Sequence, residues 1–298
     1  MATWRTRGPA DQTERMDDTT PGPPQLHLAA PPGPGLEGLF DAVADDYDQS
    51  GMAFFQPMAD RLVGLVSPAP GERALDIGCG RGAVTTRLAS AVGPDGSVTA
   101  IDLSSRMVRH VAALLPEADV RQMDAADPDL PQTSFDLATA SAVLFFLPRP
   151  RDAVRTWLSL LRPGGRLGLT TFGPVDEVWR RVDDAIEQWR PPGLPDPRVQ
   201  APDSPFTSDE RLAALLTAAG GVDVENRVEQ LTVHLDDPDQ WLRFSFATGQ
   251  RRAWTAVPQD ALPGAVDTVR GLLESARDDS GTIVLSQQIR YSTVRRPS

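Results

Sequence analysis

The segment Ala74-Leu75-Asp76-Ile77-Gly78-Cys79-Gly80-Arg81-Gly82 constrains this chain more than any other. An apolar run closes around an acid, and three glycines follow at every second position. Glycine reaches backbone conformations that other residues avoid, and it leaves no Cβ between the turn and a bound molecule. Further on, a second apolar run, Val98-Thr99-Ala100-Ile101, ends in Asp102. Strand, glycine turn, helix, strand, acid is the plan of a nucleotide-binding βαβ unit. Asp102, at the tip of the second strand, is placed to accept hydrogen bonds from a ribose diol. Its alternative task is to cap the helix that starts at Ser104.

Gly78-x-Gly80-x-x-Ala83 also fits the dinucleotide pattern in its G-x-G-x-x-A form. Asp76 argues against that ligand. A pyrophosphate at the turn needs bare N–H groups and a helix N-terminus, because both favour anions. A carboxylate two residues before the first glycine repels it. The same carboxylate suits a ligand with a cationic amino acid end, and S-adenosylmethionine offers an ammonium, a sulfonium, a ribose and no phosphate.

Here the sequence resembles the class I S-adenosylmethionine-dependent methyltransferases of the small-molecule, quinone and natural-product type, whose first motif reads D-x-G-x-G-x-G. The matching segments span residues 70–172, and weaker likeness reaches both ends. The resemblance implies an α/β fold: a Rossmann-like, doubly wound seven-stranded sheet, mostly parallel with an antiparallel C-terminal edge, plus N-terminal helices and a helical cap. It implies S-adenosyl-L-methionine as cofactor.

The pattern along the chain supports that architecture. Residues 1–35, rich in Pro and Gly, read as a disordered tail. Residues 36–298 then form the methyltransferase domain. Within it, 36–70 is a helical lead-in, 71–172 the cofactor-binding core, 173–210 a substrate cap, and 211–298 the rest of the sheet and helices. Leu39, Phe40, Val43 and Tyr47 recur at helical spacing, and a second helix covers Phe54 to Val66. Strands are expected at 73–77, 98–102, 119–123, 134–140 and 166–172, with helices between them. Later helices are expected at 175–189, 208–219, 237–248 and 261–276, and strands around Leu231-Val233-Leu235 and at 282–293.

Charge narrows the partners. A net charge of −12 and a pI near 4.7 argue against nucleic acid and anionic membranes, both of which reward positive patches. The single cysteine, Cys79, excludes an internal disulfide and fits a reducing cytoplasm. No apolar run reaches the ~18 residues of a membrane span, and the N-terminus lacks a signal-peptide layout. The expectation is a cytoplasmic protein with a small-molecule substrate, and a homodimer stays open. Three scattered histidines and one cysteine make no metal site.

Individual site residues follow. Asp76, Gly78, Cys79, Gly80 and Gly82 form the cofactor turn, with Asp102 and Leu103 at the second strand end. Met107 sits one turn into the next helix, where it packs on the adenine or simply in the core. In the resembled family an acid after the third strand accepts a hydrogen bond from the adenine amino group, and the next backbone N–H meets the ring. Asp124 and Ala125 match those positions, with Asp127 the rival. The fourth strand ends at Ser141, where the sheet topology reverses and a ligand crevice is expected. The Asn/Asp-Pro-Pro-Tyr signature of many N-methyltransferases is absent there. Val143-Leu144-Phe145-Phe146 occupies the space, so the acceptor pocket is read as apolar.

Phe145, Phe146, Phe172 and Trp179 are the substrate candidates. In the resembled family the lead-in helix covers the cofactor's amino acid end, which makes Tyr47 the candidate for a catalytic or cofactor contact; a core role is the alternative. His27, His110 and His234 are read as structural or exposed, so no general base is evident. Methyl transfer tolerates this, since orientation alone supplies ~7–11 kcal/mol of barrier reduction. Arg251, in Gly249-Gln250-Arg251-Arg252, is read as a surface residue paired with an Asp, with an oxyanion contact as the rival. The functional expectation is methyl transfer to an oxygen or carbon of a small, largely apolar natural-product-type metabolite. The alternatives are a cyclase that keeps the cofactor without methyl transfer, an NAD(P)-dependent oxidoreductase, and a non-catalytic binding protein.

Overall fold

The computed structural model describes residues 35–193 and 203–298. The expected tail with His27, and most of the stretch from Pro191 to Pro205, lie outside the described residues. Two helices lead in, α1 (Gly35–Val43) and α2 (Phe55–Val66). Helices and strands then alternate: β1 (Arg73–Ile77), α3 (Ala83–Val92), β2 (Ser97–Asp102), α4 (Ser105–Leu114), β3 (Asp119–Gln122), β4 (Phe135–Ser141), α5 (Pro150–Leu160) and β5 (Leu161–Val175). The C-terminal part holds α6 (Glu177–Gln188), α7 (Asp209–Ala218), β6 (Val222–Leu235), α8 (Pro238–Phe246), α9 (Arg251–Trp254), α10 (Leu262–Glu274) and β7 (Ile283–Arg295).

The strands form one sheet in the order β3-β2-β1-β4-β5-β7-β6. β1 to β5 run parallel, and β7 runs antiparallel to both β5 and β6. The order reverses between β1 and β4, which opens a crevice beyond their C-terminal ends. β1 is buried along Ala74–Ile77 because helices cover both faces. Its alternate side chains part accordingly: Ala74 joins the core beneath α2 and α3, and Leu75 and Ile77 join the core beneath α5 and α7.

Ser104 caps α4 by accepting the Met107 amide, as its position before the helix predicts. Several boundaries differ from expectation, and β5 begins at Leu161 rather than at 166. The lead-in helix ends at Val43, and the chain continues through turns in which the Tyr47 amide reaches the Val43 carbonyl at 2.8 Å. Val175 belongs to β5, and α6 starts after the Asp176 cap. β6 begins at Val222 rather than near Leu231. Its first half is exposed and polar because the strand lies at the sheet edge, with β7 on one side only.

Candidate active site

The glycine turn is held to the end of β2. The amides of Gly78 and Cys79 both reach the Ile101 carbonyl, at 2.8 and 2.9 Å. Gly78 and Gly80 have φ of +69° and +52°, the left-handed region that favours glycine. A Cβ at Gly78 would lie 2.4 Å from Val143 Cγ2, so the turn and the β4 exit loop touch backbone to side chain.

Asp102 fastens this turn from the other side. Its Oδ2 accepts the Gly80 amide at 2.9 Å, and its Oδ1 accepts the Ser104 amide at 2.8 Å. A carboxylate offers about four lone-pair positions, so each oxygen retains capacity for a hydroxyl. Holding the loop and binding a diol are compatible tasks. Burial pushes this carboxyl above its ordinary range, and the two amides pull it back.

Asp76 is 1% exposed and lines the pocket beside Gly78 and Gly80. Thr85 on α3 donates to it at 2.7 Å, and Thr139 on β4 donates at 2.9 Å. Burial raises its carboxyl to about 6, against the downward pull of the hydroxyls. A desolvated carboxylate without a cation is costly, and an ammonium arriving beside it is correspondingly favoured. The pocket brings Asp76, Gly78, Gly80, Ser141, Tyr47 and Asp48 together. These donors fit S-adenosylmethionine: a buried acid for a cationic end, bare backbone at the turn, and a second acid at the strand tip. They do not suit a pyrophosphate.

The lead-in segment closes the pocket. Arg81, inside the glycine turn, donates to the carbonyls of Ala44 and Asp45 at 2.7 and 3.1 Å. Ser104 donates to the Asp41 carboxylate, and Arg106 pairs with Asp45. Tyr47 stacks on Phe55 with ring centroids 4.8 Å apart, and its ring edge passes Gly80. Burial, then the charges of Asp102 and Asp48, push its phenol far above the ordinary value. Tyr47 therefore stays protonated at neutral pH and can donate a hydrogen bond, but it does not supply a base.

The remaining expected residues separate into groups. Ser141 lies beside Thr170, 3.2 Å between hydroxyls, and the following Ala142 takes φ of +57°. Leu103 is half-buried and its carbonyl accepts from Gln122 at 3.0 Å. Asp124 is exposed and turns its own loop by accepting the Ala126 amide at 2.8 Å. The Ala125 carbonyl accepts the buried Trp157 indole at 2.7 Å, which ties this loop to the core. Phe145 and Phe146 form a short 3-10 turn beyond β4 (Leu144–Phe146). Phe145 meets Phe172 at 5.3 Å, and Phe146 meets Phe40 at 5.5 Å. These rings are half-buried and form one apolar cluster beyond β4.

Three expectations are corrected. Trp179 is 1% exposed, packed edge-on to Trp241, Phe54 and Phe244, so its indole offers no surface to a substrate. The strongly amphipathic α6 turns it inward. Met107 is likewise 1% exposed, because its place one turn into α4 faces the sheet. Arg251 is 6% exposed rather than a surface residue, because α9 is folded beneath α6 and α8. Sequence reasoning missed Asp48, Arg81, Thr85 and Thr139. A signal existed for Thr139, a hydroxyl inside an otherwise apolar run, which the sheet register sets opposite Asp76.

Comparison with known proteins agrees with this geometry. A family model described as "Methyltransferase domain" matches residues 75–169. The nocamycin O-methyltransferase of Saccharothrix syringae is 36% identical over 279 residues, covering 87% of this chain and 98% of that protein. The chain belongs to the class I S-adenosylmethionine-dependent methyltransferases. A second relative of this methyltransferase, the aklanonic acid methyltransferase DauC of Streptomyces sp. (strain C5), is 37% identical over 174 residues, 52% of this chain and 79% of that one. Among solved structures, phosphoethanolamine N-methyltransferase 2 of Haemonchus contortus, in complex with S-adenosylhomocysteine, aligns with a TM-score of 0.55 at 17% identity. It covers 89% of this chain and 61% of that one, and the likeness is one of fold. The methyltransferase uses S-adenosyl-L-methionine, and the oxidoreductase alternative is set aside. No helix among the described residues is long and apolar enough to cross a membrane.

Proposed function

We propose that this methyltransferase moves the methyl group of S-adenosylmethionine to an oxygen of a small, largely apolar metabolite of the natural-product type. The observation that carries this reading is its 36% identity along 98% of a nocamycin O-methyltransferase. The aromatic wall of Phe145, Phe146 and Phe172 supports an apolar acceptor.

In this reading Asp76 receives the cofactor's ammonium and Asp102 its ribose hydroxyls. The Asp124 carboxylate takes the adenine amino group, and the Ala125 amide meets the ring. The backbone at Gly78, Gly80 and Ser141 borders the reacting centre, and Tyr47 donates a hydrogen bond from the lead-in side. The cofactor brings a methyl group already activated on sulfur. The protein's contribution is to exclude water and align the acceptor oxygen, which orientation rewards strongly.

Titration calorimetry with S-adenosylmethionine and S-adenosylhomocysteine tests the cofactor assignment. Incubation with a panel of apolar phenols and acids, read by mass spectrometry, tests the acceptor class. Micromolar binding and a product heavier by one methyl group are expected. Absence of binding by ligand-free protein would overturn the site assignment, and methylation confined to nitrogen or carbon would overturn the acceptor assignment.

A further inference from the structure

β6 ends one side of the sheet and pairs with β7 alone among the described residues. It is 14 residues long and holds neither proline nor lysine. Its outer side carries a row of backbone N–H and C=O groups with no ladder partner among the described residues. Such a row templates another strand, so edges are usually kept short, bent, or guarded by lysine and proline. β6 is bent only at its start, by the bulge between Val222 and Glu225, where Asp223 takes φ of +51°. From Glu225 onward the register with β7 is regular.

The side chains of that regular stretch match their own reverse. Val228 is 42% exposed on one face of the strand. On the other face Glu225 meets Arg227 at 3.3 Å, and Glu229 pairs with Arg61 of α2. These acids and bases balance, on a chain whose net charge is −12. Laid antiparallel to itself about Val228, the strand sets Arg227 opposite Glu229 of a second copy, and Glu229 opposite that copy's Arg227. Asn226 then falls opposite Gln230, and Val228 opposite itself. Side chains directly opposite in an antiparallel pair have Cβ atoms about 4.5–5.5 Å apart, where opposite charges stabilise and like charges destabilise.

Neighbouring registers lose this match. With the axis at Gln230, Arg227 faces Val233 and Glu229 faces Leu231. With the axis at Asn226, Glu229 faces Asp223 at the bulge, acid against acid.

We propose that β6 pairs edge to edge with β6 of a second copy of this chain, about a two-fold axis at Val228, and joins two seven-stranded sheets into one. The pairing gives the outer backbone row its partners and covers Val228 with its own counterpart. It also links the ion pairs, so that Glu225–Arg227 of one copy continues into Glu229–Arg61 of the other. β5 and β7 stand between β6 and β4, so the cofactor pocket of each copy is left open. The inference goes beyond the methyl-transfer reading and does not depend on it.

Sedimentation equilibrium on the full chain, over a concentration series, is expected to show a dimer. Arg227→Glu sets like charges opposite each other on both sides of the axis and should raise the dimer dissociation constant about tenfold or more. Glu229→Arg should act likewise, and dimers should return when the two variants are mixed, because opposite positions then again carry opposite signs. Crosslinking reads the register. Val228→Cys should form an interchain disulfide on mild oxidation, whereas the two copies of Gln230→Cys lie about 14 Å apart and should not. Circular dichroism checks that each variant is folded, and S-adenosylhomocysteine affinity should match wild type. Should a charge variant fail to fold, the crosslinking pair decides. A monomeric wild type, a dimer that survives both charge reversals, folded variants that stay apart when mixed, or a disulfide at Gln230 in place of Val228 overturns the inference while leaving the cofactor assignment standing. Failure to bind S-adenosylhomocysteine would instead overturn the methyl-transfer reading and leave this one intact.

Discussion

The Asp102 carboxylate and the Gly80 amide meet at 2.9 Å, so the acid at the tip of β2 holds the glycine turn that β1 feeds. Its other oxygen holds the start of α4 through Ser104. One side chain thus sets the spacing between the glycine turn and the start of α4.

Asp102→Ala removes both contacts. Hydrogen bonds to a charged group contribute about 1.5–3 kcal/mol each. S-adenosylhomocysteine affinity is expected to fall at least about tenfold, with a lower urea midpoint. Asp102→Asn, which keeps one acceptor oxygen, should fall between. Calorimetry and urea unfolding on the three proteins check this; an alanine variant with wild-type affinity would remove Asp102 from the site.

Much of the fold was legible because the core strands are covered on both faces. Ala74–Ile77 and Leu137–Ala140 are near-continuous apolar runs, and glycines mark the turn between β1 and α3. The first half of β6 was not legible, because an edge strand paired on one side carries polar residues such as Glu225, Asn226 and Glu229. Trp179 and Met107 show a second limit. Aromatic and sulfur side chains suit a pocket wall and a core equally, and only the packing of α6 and α4 decides. Arg251 shows a third: a charged residue reads as surface until tertiary folding buries it.

Asp76 gives a pH signature. The folded carboxyl keeps its proton to about pH 6, whereas the unfolded chain releases it near the ordinary 3.8. Between those values the native state binds more protons, so stability falls as pH rises through the window, by up to about 1.4 kcal/mol per unit. Asp76→Asn cannot ionise and lacks this slope. The stability of the variant relative to wild type should therefore rise from pH 4 to 6 and level off above, while its cofactor affinity at pH 7.5 drops. Chemical denaturation across that range measures it, and parallel pH profiles would refute the assignment.

Gly78→Ala tests the turn itself. The new Cβ lies 2.4 Å from Val143 Cγ2, and φ of +69° strains any L side chain. Strain and overpacking of about 1–3 kcal/mol each are expected. Adding Val143→Ala should relieve the clash and leave the backbone strain, so the double variant recovers part of the lost stability. Thermal unfolding of the single and double variants distinguishes this from additive losses.

Phe146→Ala removes the ring between Phe40 and Gly249. With Phe146 assigned to the acceptor under the proposed function, the acceptor's KM should rise about tenfold or more. S-adenosylhomocysteine affinity should stay within about twofold of wild type. Steady-state kinetics beside calorimetry separate the two, and an equal loss in both would place this ring in the cofactor's support.

Trp157 links the deep core to the loop that follows β3. Its indole, on a fully buried side chain, donates to the Ala125 carbonyl at 2.7 Å. Trp157→Phe keeps most of the apolar volume and leaves that carbonyl without its donor, which costs about 1–3 kcal/mol. The loop Met123–Asp127 then loses its inner anchor, so hydrogen exchange at the Ala126 and Asp127 amides should accelerate more than exchange in β4. If exchange instead rises uniformly, the indole is acting through general core packing and does not position the loop.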